Sequence, residues 1–290
     1  MASDALALGV ARVSAAVAAP LLNIVLGEGG SSAGGDTPVN PAFPLTMAGA
    51  RAALEEMRRE PRPLVRPVVV CAGIFDPGPG SRHVAGVLRS VTTTPELVVE
   101  ASFWGQRTFD ACRAHVLRLA RRVWNKGTAR REHGVDAIGV SMGGLVSRFA
   151  AASPAGDGEA ERLPVRRLFT LGSPHHGAAW WDRAPWDGRA SMMRPGGAFM
   201  ADLDAAWRDP ARGGGYEIVA YVRLGDQIVG EWNSRAPDGR VWWLGNPLTE
   251  FAHLQAFGDA RLLADIARAV RGEPRFSDAD ASPLPGRNGL

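Results

Sequence analysis

The chain predicts an α/β fold with a mostly parallel sheet of about six strands and helices on both faces. Three observations carry that expectation. Short apolar runs alternate with amphipathic helical stretches from residue 68 to residue 271, the order that builds parallel sheets with helices packed on each side. Several of the runs are apolar at every position, as strands buried on both faces require. One run, Val135-Asp136-Ala137-Ile138-Gly139-Val140, leads through Ser141-Met142-Gly143-Gly144 into a helical stretch from Leu145 to Ala152. A strand that turns into a helix through a glycine-flanked serine has the form of a nucleophile elbow.

Taken in order, residues 5–26 are mostly apolar but are interrupted by Arg12, Pro20 and Asn23. The uninterrupted runs are too short for a spanning helix, and Met1-Ala2-Ser3-Asp4 lacks the positive start of a signal peptide. This segment is expected to pack on the protein or to make peripheral membrane contact, and the location leans to the cytoplasm or a membrane surface. Residues 27–41 are rich in Gly, Ser and Pro and read as a linker, followed by a helix at roughly 45–60. Residues 1–62 are therefore expected as an N-terminal extension, 63–272 as the main domain and 273–290 as a flexible tail.

Within the main domain, Val68-Val69-Val70-Cys71-Ala72 lies between Pro67 and Gly73 and reads as a buried strand. Leu97-Val98-Val99-Glu100 is the next strand. Residues 108–124 carry Phe109, Cys112, Val116, Leu119 and Val123 near helical spacing. Further strands are expected at 167–171, 218–222 and 241–244, and a last helix at 259–271 with Leu262, Leu263, Ile266 and Val270 on one face. Residues 178–214 break the alternation with Trp180, Trp181, Trp186, Met192, Met193, Phe199 and Trp207 among Gly, Pro and Asp. An insertion of this length is either a lid-like binding surface or a peripheral subdomain whose tryptophans pack inward.

Composition excludes some functions. The 290 residues are 46% hydrophobic and 22% charged, with a net charge of +3 and Lys126 as the only lysine. No basic run is dense enough for nucleic acid, and Arg118, Arg121 and Arg122 read as a solvated helix face. Cys71 and Cys112, the only cysteines, read as small buried hydrophobes rather than a disulfide framework. The adjacent His175 and His176 have no carboxylate or thiol beside them at ligand spacing, so no metal is expected.

A serine attacks only when a base takes its proton, and the base is usually a histidine held by a carboxylate. On a sheet of this kind the chain order is serine, acid, histidine. His83, His115 and His133 precede Ser141, and His175 and His176 follow the strand next to it too early, so His253 is the candidate base. Asp226, in Leu224-Gly225-Asp226-Gln227-Ile228-Val229, is the candidate acid because a carboxylate at a strand's C-terminal end points into the ligand crevice. Glu231 and Asp238 are fallbacks, as are Asp202 and Asp204, which are expected to face solvent. The oxyanion donors are expected to be the amides of Met142 and Ile74, which fixed backbone geometry would hold ready.

At these residues the chain resembles the lipases and esterases of the α/β-hydrolase superfamily, and most of all the small bacterial triacylglycerol lipases. Val140-Ser141-Met142-Gly143-Gly144-Leu145-Val146-Ser147-Arg148 is similar to their elbow, and Thr170-Leu171-Gly172-Ser173-Pro174-His175-His176-Gly177 to their Thr-x-Gly-Thr-Pro-His-x-Gly segment. The stretch from Arg194 to Leu203, the segment Gly225-Asp226-Gln227-Ile228-Val229 and the pair His253-Leu254 match further motifs in the same order, so the resemblance covers about 65–271. It implies the α/β-hydrolase fold with a lid-like insertion, and a serine carboxylic-ester hydrolase that passes through an acyl-enzyme. It further implies no cofactor and a small-molecule or lipid acyl ester as substrate. Phe75 and, from the tryptophan-rich composition of the insertion, Trp180 and Trp181 are substrate-binding candidates. An acyltransferase on the same triad and a non-catalytic binding protein are the alternatives. Three residues depart from the pattern: Val140 and Ala72 replace histidines, and Asp76 brings a carboxylate near the oxyanion loop.

Overall fold

The computed structural model describes residues 38–74, 76–125, 131–153, 161–178, 187–246 and 251–286. Six strands, β1 (Val68–Cys71), β2 (Val98–Ala101), β3 (Val135–Val140), β4 (Val165–Leu171), β5 (Glu217–Arg223) and β6 (Trp242–Leu244), form one sheet in the order β2-β1-β3-β4-β5-β6. Every pairing is parallel. The chain moves from β1 outward to β2, returns to β3 on the other side of β1, and then adds β4, β5 and β6 in sequence. The direction of winding thus reverses between β1 and β3. Loops leaving the C-terminal ends of those two strands diverge to opposite faces and open a crevice.

Alternate strand residues enter two cores. Val69, Ala137, Leu168, Ala220 and Val222 face one side, and Val68, Val70, Ile138, Phe169, Val219 and Tyr221 the other. Helices α1 (Met47–Arg59), α2 (Pro79–Ser90), α3 (Phe109–Asn125), α4 (Met142–Ala151), α5 (Gly188–Met192), α6 (Ala198–Arg208), α7 (Ala252–Gln255) and α8 (Ala260–Val270) accompany the strands. The first core takes Phe109, Cys112 and Val116 of α3, Leu145 and Val146 of α4, and Met200 and Leu203 of α6. The second takes Leu54 and Met57 of α1, Val84 and Leu88 of α2, and Leu262, Ile266 and Val270 of α8. Burying one such aliphatic side chain contributes roughly 1.5–3 kcal/mol, so both faces of the sheet are firmly covered.

Three expectations change. The boundary near residue 62 does not separate an extension from the domain. The stripe Ala50, Leu54 and Met57 of α1 is buried in the same core as α8, Phe43 lies 6.1 Å from the Tyr221 ring, and the Asn40 side chain donates to the Trp243 carbonyl at 2.9 Å. The sequence pattern does not predict helix α2, because its opening Pro79-Gly80-Ser81 lacks apolar periodicity. Its start is organised from outside the helix: the Asp76 carboxylate accepts from the amides of Gly78, Gly80 and Ser81. Finally, the tail is pinned through much of its length. The indoles of Trp242 and Trp243 donate to the carbonyls of Asp278 and Pro283, and Asp265 accepts from the amides of Phe276 and Ser277. Composition marked these residues as loop, and backbone bonds to buried side chains hold the loop in place. Residues 5–26 lie outside the described residues, and no described helix is long and apolar enough to cross a membrane.

Ending the chain at Gly272 would leave the Trp242 and Trp243 indoles and the Asp265 carboxylate without those partners. Since each stranded buried polar group costs about 1–3 kcal/mol, denaturant unfolding of the shortened chain is expected to show a loss of about 3 kcal/mol or more. An unchanged midpoint would show that the tail contributes nothing.

Candidate active site

At the end of β3 the backbone turns sharply into α4. Ser141 occupies the turn with φ 51° and ψ −124°, and among the described residues it is the one non-glycine with positive φ. Such a conformation is costly for a residue with a side chain and persists only where its surroundings enforce it. Here the Ser141 amide donates to the Leu171 carbonyl of β4 at 2.9 Å. The glycines on either side leave room for the turn. A side-chain carbon on Gly139 would stand 2.3 Å from the Gly144 backbone, and one on Gly143 would stand 2.2 Å from the Cys71 carbonyl oxygen. Ser141 thus sits at the N-terminus of α4, where amides lack helical partners and the dipole favours negative charge.

His253, on the single turn α7, reaches Ser141 from the far side of the sheet. Its Nε2 lies 3.1 Å from Ser141 Oγ, and its Nδ1 lies 2.7 Å from Asp226 Oδ2. An ionised carboxylate can only accept. The ring therefore donates from Nδ1 to Asp226 and accepts the serine hydroxyl at Nε2. The second Asp226 oxygen accepts from the amides of Ile228 and Val229 at 2.9 and 2.8 Å. Burial by itself would raise the Asp226 carboxyl, but the His253 charge and hydrogen bond, with the Val229 and Ile228 amides, outweigh it and hold the group below its ordinary value. Ser141, Asp226 and His253 are 7%, 6% and 7% exposed, so the row is shielded yet reachable.

The loop after β1 lies against this turn: a carbon on Gly73 would come within 3.4 Å of Ser141 Cβ. Ile74 on that loop is buried, as is Met142, the first residue of α4. Phe75, Trp180, Trp181 and Trp186 lie outside the described residues. The carboxylate of Asp76 turns toward the start of α2, where three amides receive it. Val140 and Ala72, the two departures from the histidine pattern, are both buried among core residues.

The other acids do not meet His253. Asp238 pairs with Arg240, and Asp202 with Arg212. Asp204, expected in solvent, instead pairs at 2.5 Å with Arg148, whose side chain is 1% exposed. The nearby His175 is buried, with Nε2 3.0 Å from Thr170 Oγ1 and Nδ1 3.4 Å from Arg148. Burial, then the charges of Arg148 and His176, hold its pKa well below the ordinary histidine value, so the ring is neutral. Among the described residues no three His, Cys, Asp or Glu side chains form a metal-holding group. Burial pushes the Cys71 thiol up to about 12 and the Cys112 thiol up to about 11, which leaves neither as a thiolate nucleophile. The described part of the 178–214 insertion packs inward. Phe199 meets Phe109 and Phe149 at 4.6 and 5.4 Å, Met193, Met200 and Leu203 are buried, and the Trp207 indole donates to the Tyr216 carbonyl.

No protein-family model and no curated protein sequence matches the chain. Solved structures do. The lipase BlEst2 of Bacillus licheniformis in its propeptide form superposes with a TM-score of 0.50 at 18% identity, covering 78% of this chain and 53% of that one. The chain has the α/β-hydrolase fold. The mature form of the same lipase gives a TM-score of 0.49 at 17% identity, covering 73% of this chain and 94% of that one. Phospholipase PlaB of Legionella pneumophila gives 0.41 at 15% identity, over 58% of this chain and 41% of that one. Within the α/β-hydrolase fold, Ser141, Asp226 and His253 follow β3, β5 and β6, at one end of the sheet.

Two outcomes follow from this packing. Gly143→Ala would drive a methyl group into the Cys71 carbonyl, and the variant is expected to express poorly or to unfold several degrees earlier in a thermal melt. His175 binds a proton in the unfolded chain below about pH 6.5 but resists one when folded. Stability is therefore expected to be full above that pH and to fall as pH drops through the window toward the lower folded value. In His175→Gln the acid-side slope of unfolding free energy against pH should be shallower, and an identical slope would show that this ring does not carry the effect.

Proposed function

We propose that the protein is a serine hydrolase of carboxylic esters, lipase-like or esterase-like in its substrates. The observation that carries this reading is the continuous hydrogen-bonded row from Asp226 through His253 to Ser141, ending on a serine held in a strained turn at a helix N-terminus. In this reading Ser141 Oγ attacks the ester carbonyl while His253 Nε2 takes its proton. The same ring then gives that proton to the leaving alcohol, and water attacks the acyl-enzyme by the reverse sequence. Asp226 keeps Nδ1 protonated and stabilises the imidazolium. The amides of Met142 and Ile74 serve the oxyanion, in an environment where fixed donors act more strongly than in water.

The reading is supported by the agreement of residue type, chain order and spacing, and by the fold shared with a lipase. Asp76 offers no opposition, because its charge is directed to the amides of α2.

Ser141→Ala is expected to fold as the parent does and to lose roughly three to six orders of magnitude in ester turnover. A phosphonate probe is expected to modify the parent at Ser141 alone. His253→Ala should be nearly as severe as loss of the serine, and Asp226→Asn milder, since the remaining members of such a unit retain part of the rate. Hydrolysis rates over a panel of acyl esters, with mass mapping of the labelled residue, check all three. Labelling at another residue, or turnover retained without Ser141, would overturn the assignment.

A further inference from the structure

The His253 turn is short, and its hold on the rest of the fold decides where Nε2 stands. Helix α7 has four residues, and a further tight turn, Ala256–Gly258, joins it to Asp259 at the start of α8. Arg223, the last residue of β5, lies under this segment with a side chain only 4% exposed. Its Nη1 donates to Gln255 Oε1 at 3.3 Å and stands 3.3 Å from Asp259 Oδ2. One buried guanidinium group therefore grips the base segment at two points, two and six residues beyond His253. Arg223 is also three residues before Asp226 on the same strand end.

We propose that Arg223 is a positioning residue for the base. By tying Gln255 and Asp259 to the end of β5, it refers His253 to the strand that carries Asp226, so that acid and base share one backbone reference. Both contacts are made by Nη1 of a planar guanidinium group, which is better preorganised to hold two partners than a flexible ammonium group. Loss of Arg223 does not strand Asp259, which keeps the Arg261 guanidinium at 2.6 Å and the Arg261 amide at 3.0 Å. The fold thus has reason to survive the substitution while the base loses its hold. A displacement of about 1 Å at a reacting group can lower a rate about 100-fold.

The inference rests on the hydrolase reading, and its test separates the two. Arg223→Met is compared with Arg223→Lys and with Gln255→Met, which removes one contact only. Steady-state kinetics on an ester are expected to show kcat reduced about 10- to 100-fold in Arg223→Met with KM within about threefold. Arg223→Lys should recover part of the loss. A readout independent of turnover is the strongly downfield proton NMR signal of the His253–Asp226 hydrogen bond, recorded in the Ser141→Ala background. It is expected to weaken or vanish when Arg223→Met is added. A folded Arg223→Met with unchanged kcat and an unchanged downfield signal would overturn the proposal. If Arg223→Met does not fold, Gln255→Met decides by the same two readouts: reduced kcat and a weakened signal support the role, and unchanged values refute it. If the parent itself neither hydrolyses esters nor labels at Ser141, the hydrolase reading fails, while the NMR comparison still reports whether Arg223 holds the ring.

Discussion

The approach of α4 to the end of β1 is the constraint on which the rest of the arrangement depends. The Cys71 carbonyl oxygen stands where any side chain at position 143 would have to go, and the Gly144 backbone stands where one at position 139 would go. That contact brings the helix start close to the sheet and forces the single residue between them into positive φ. Once the turn is made, Ser141 is lifted above the strand ends and cannot relax without separating α4 from β1. The strain is local, but the two buried cores hold it, because α4 is packed on one face of the sheet through Leu145 and Val146.

From that contact the site extends in both directions along the sheet. Toward β2, the loop after β1 lies against the serine, and Asp76 converts that loop into a helix start. Its carboxylate is received by the amides of Gly78, Gly80 and Ser81. Toward β6, Gly172 leaves the room in which Asp226 and His253 meet, a carbon there reaching within 3.1 Å of the Asp226 carboxylate. The site is thus assembled from the C-terminal ends of adjacent parallel strands, and each loop is shaped by what its neighbour leaves open.

Behind the serine a buried polar chain runs from Asp204 through Arg148 and His175 to Thr170. It joins the elbow helix, the loop after β4 and the inserted helix α6. Such groups are costly to bury alone and stabilise only as a satisfied set. The neutral state of His175 belongs to that set, since a protonated ring could not accept from Arg148. The insertion is therefore tied to the elbow by charge as well as by the Phe109–Phe149–Phe199 cluster.

Periodicity and turn chemistry were enough to place all six strands, because strands buried on both faces read as continuous apolar runs and glycine, proline and polar residues mark their ends. The tight turn at Ser141 was legible for the same reason: its flanking glycines are a steric need that few other residues can meet. Once Ser141 is chosen, chain order points to Asp226 and His253, and the fold sets both side chains in a hydrogen-bonded row with it. What the sequence could not disclose depended on partners remote in the chain. Helix α2 needed Asp76 to organise a start that has no apolar pattern of its own. Helix α1 has its partner α8 some two hundred residues away, so it read as an extension. The tail resembled loop in composition, yet backbone groups in it satisfy Trp242, Trp243 and Asp265. Asp204 looked like a surface charge until tertiary packing set it against the buried Arg148. Local pattern determined which elements form and which residues stand as candidates for the site, because those depend on neighbours in sequence. Tertiary structure decided which charges are buried, what lies under the His253 turn and how the tail is bound, because those depend on groups that only folding brings together.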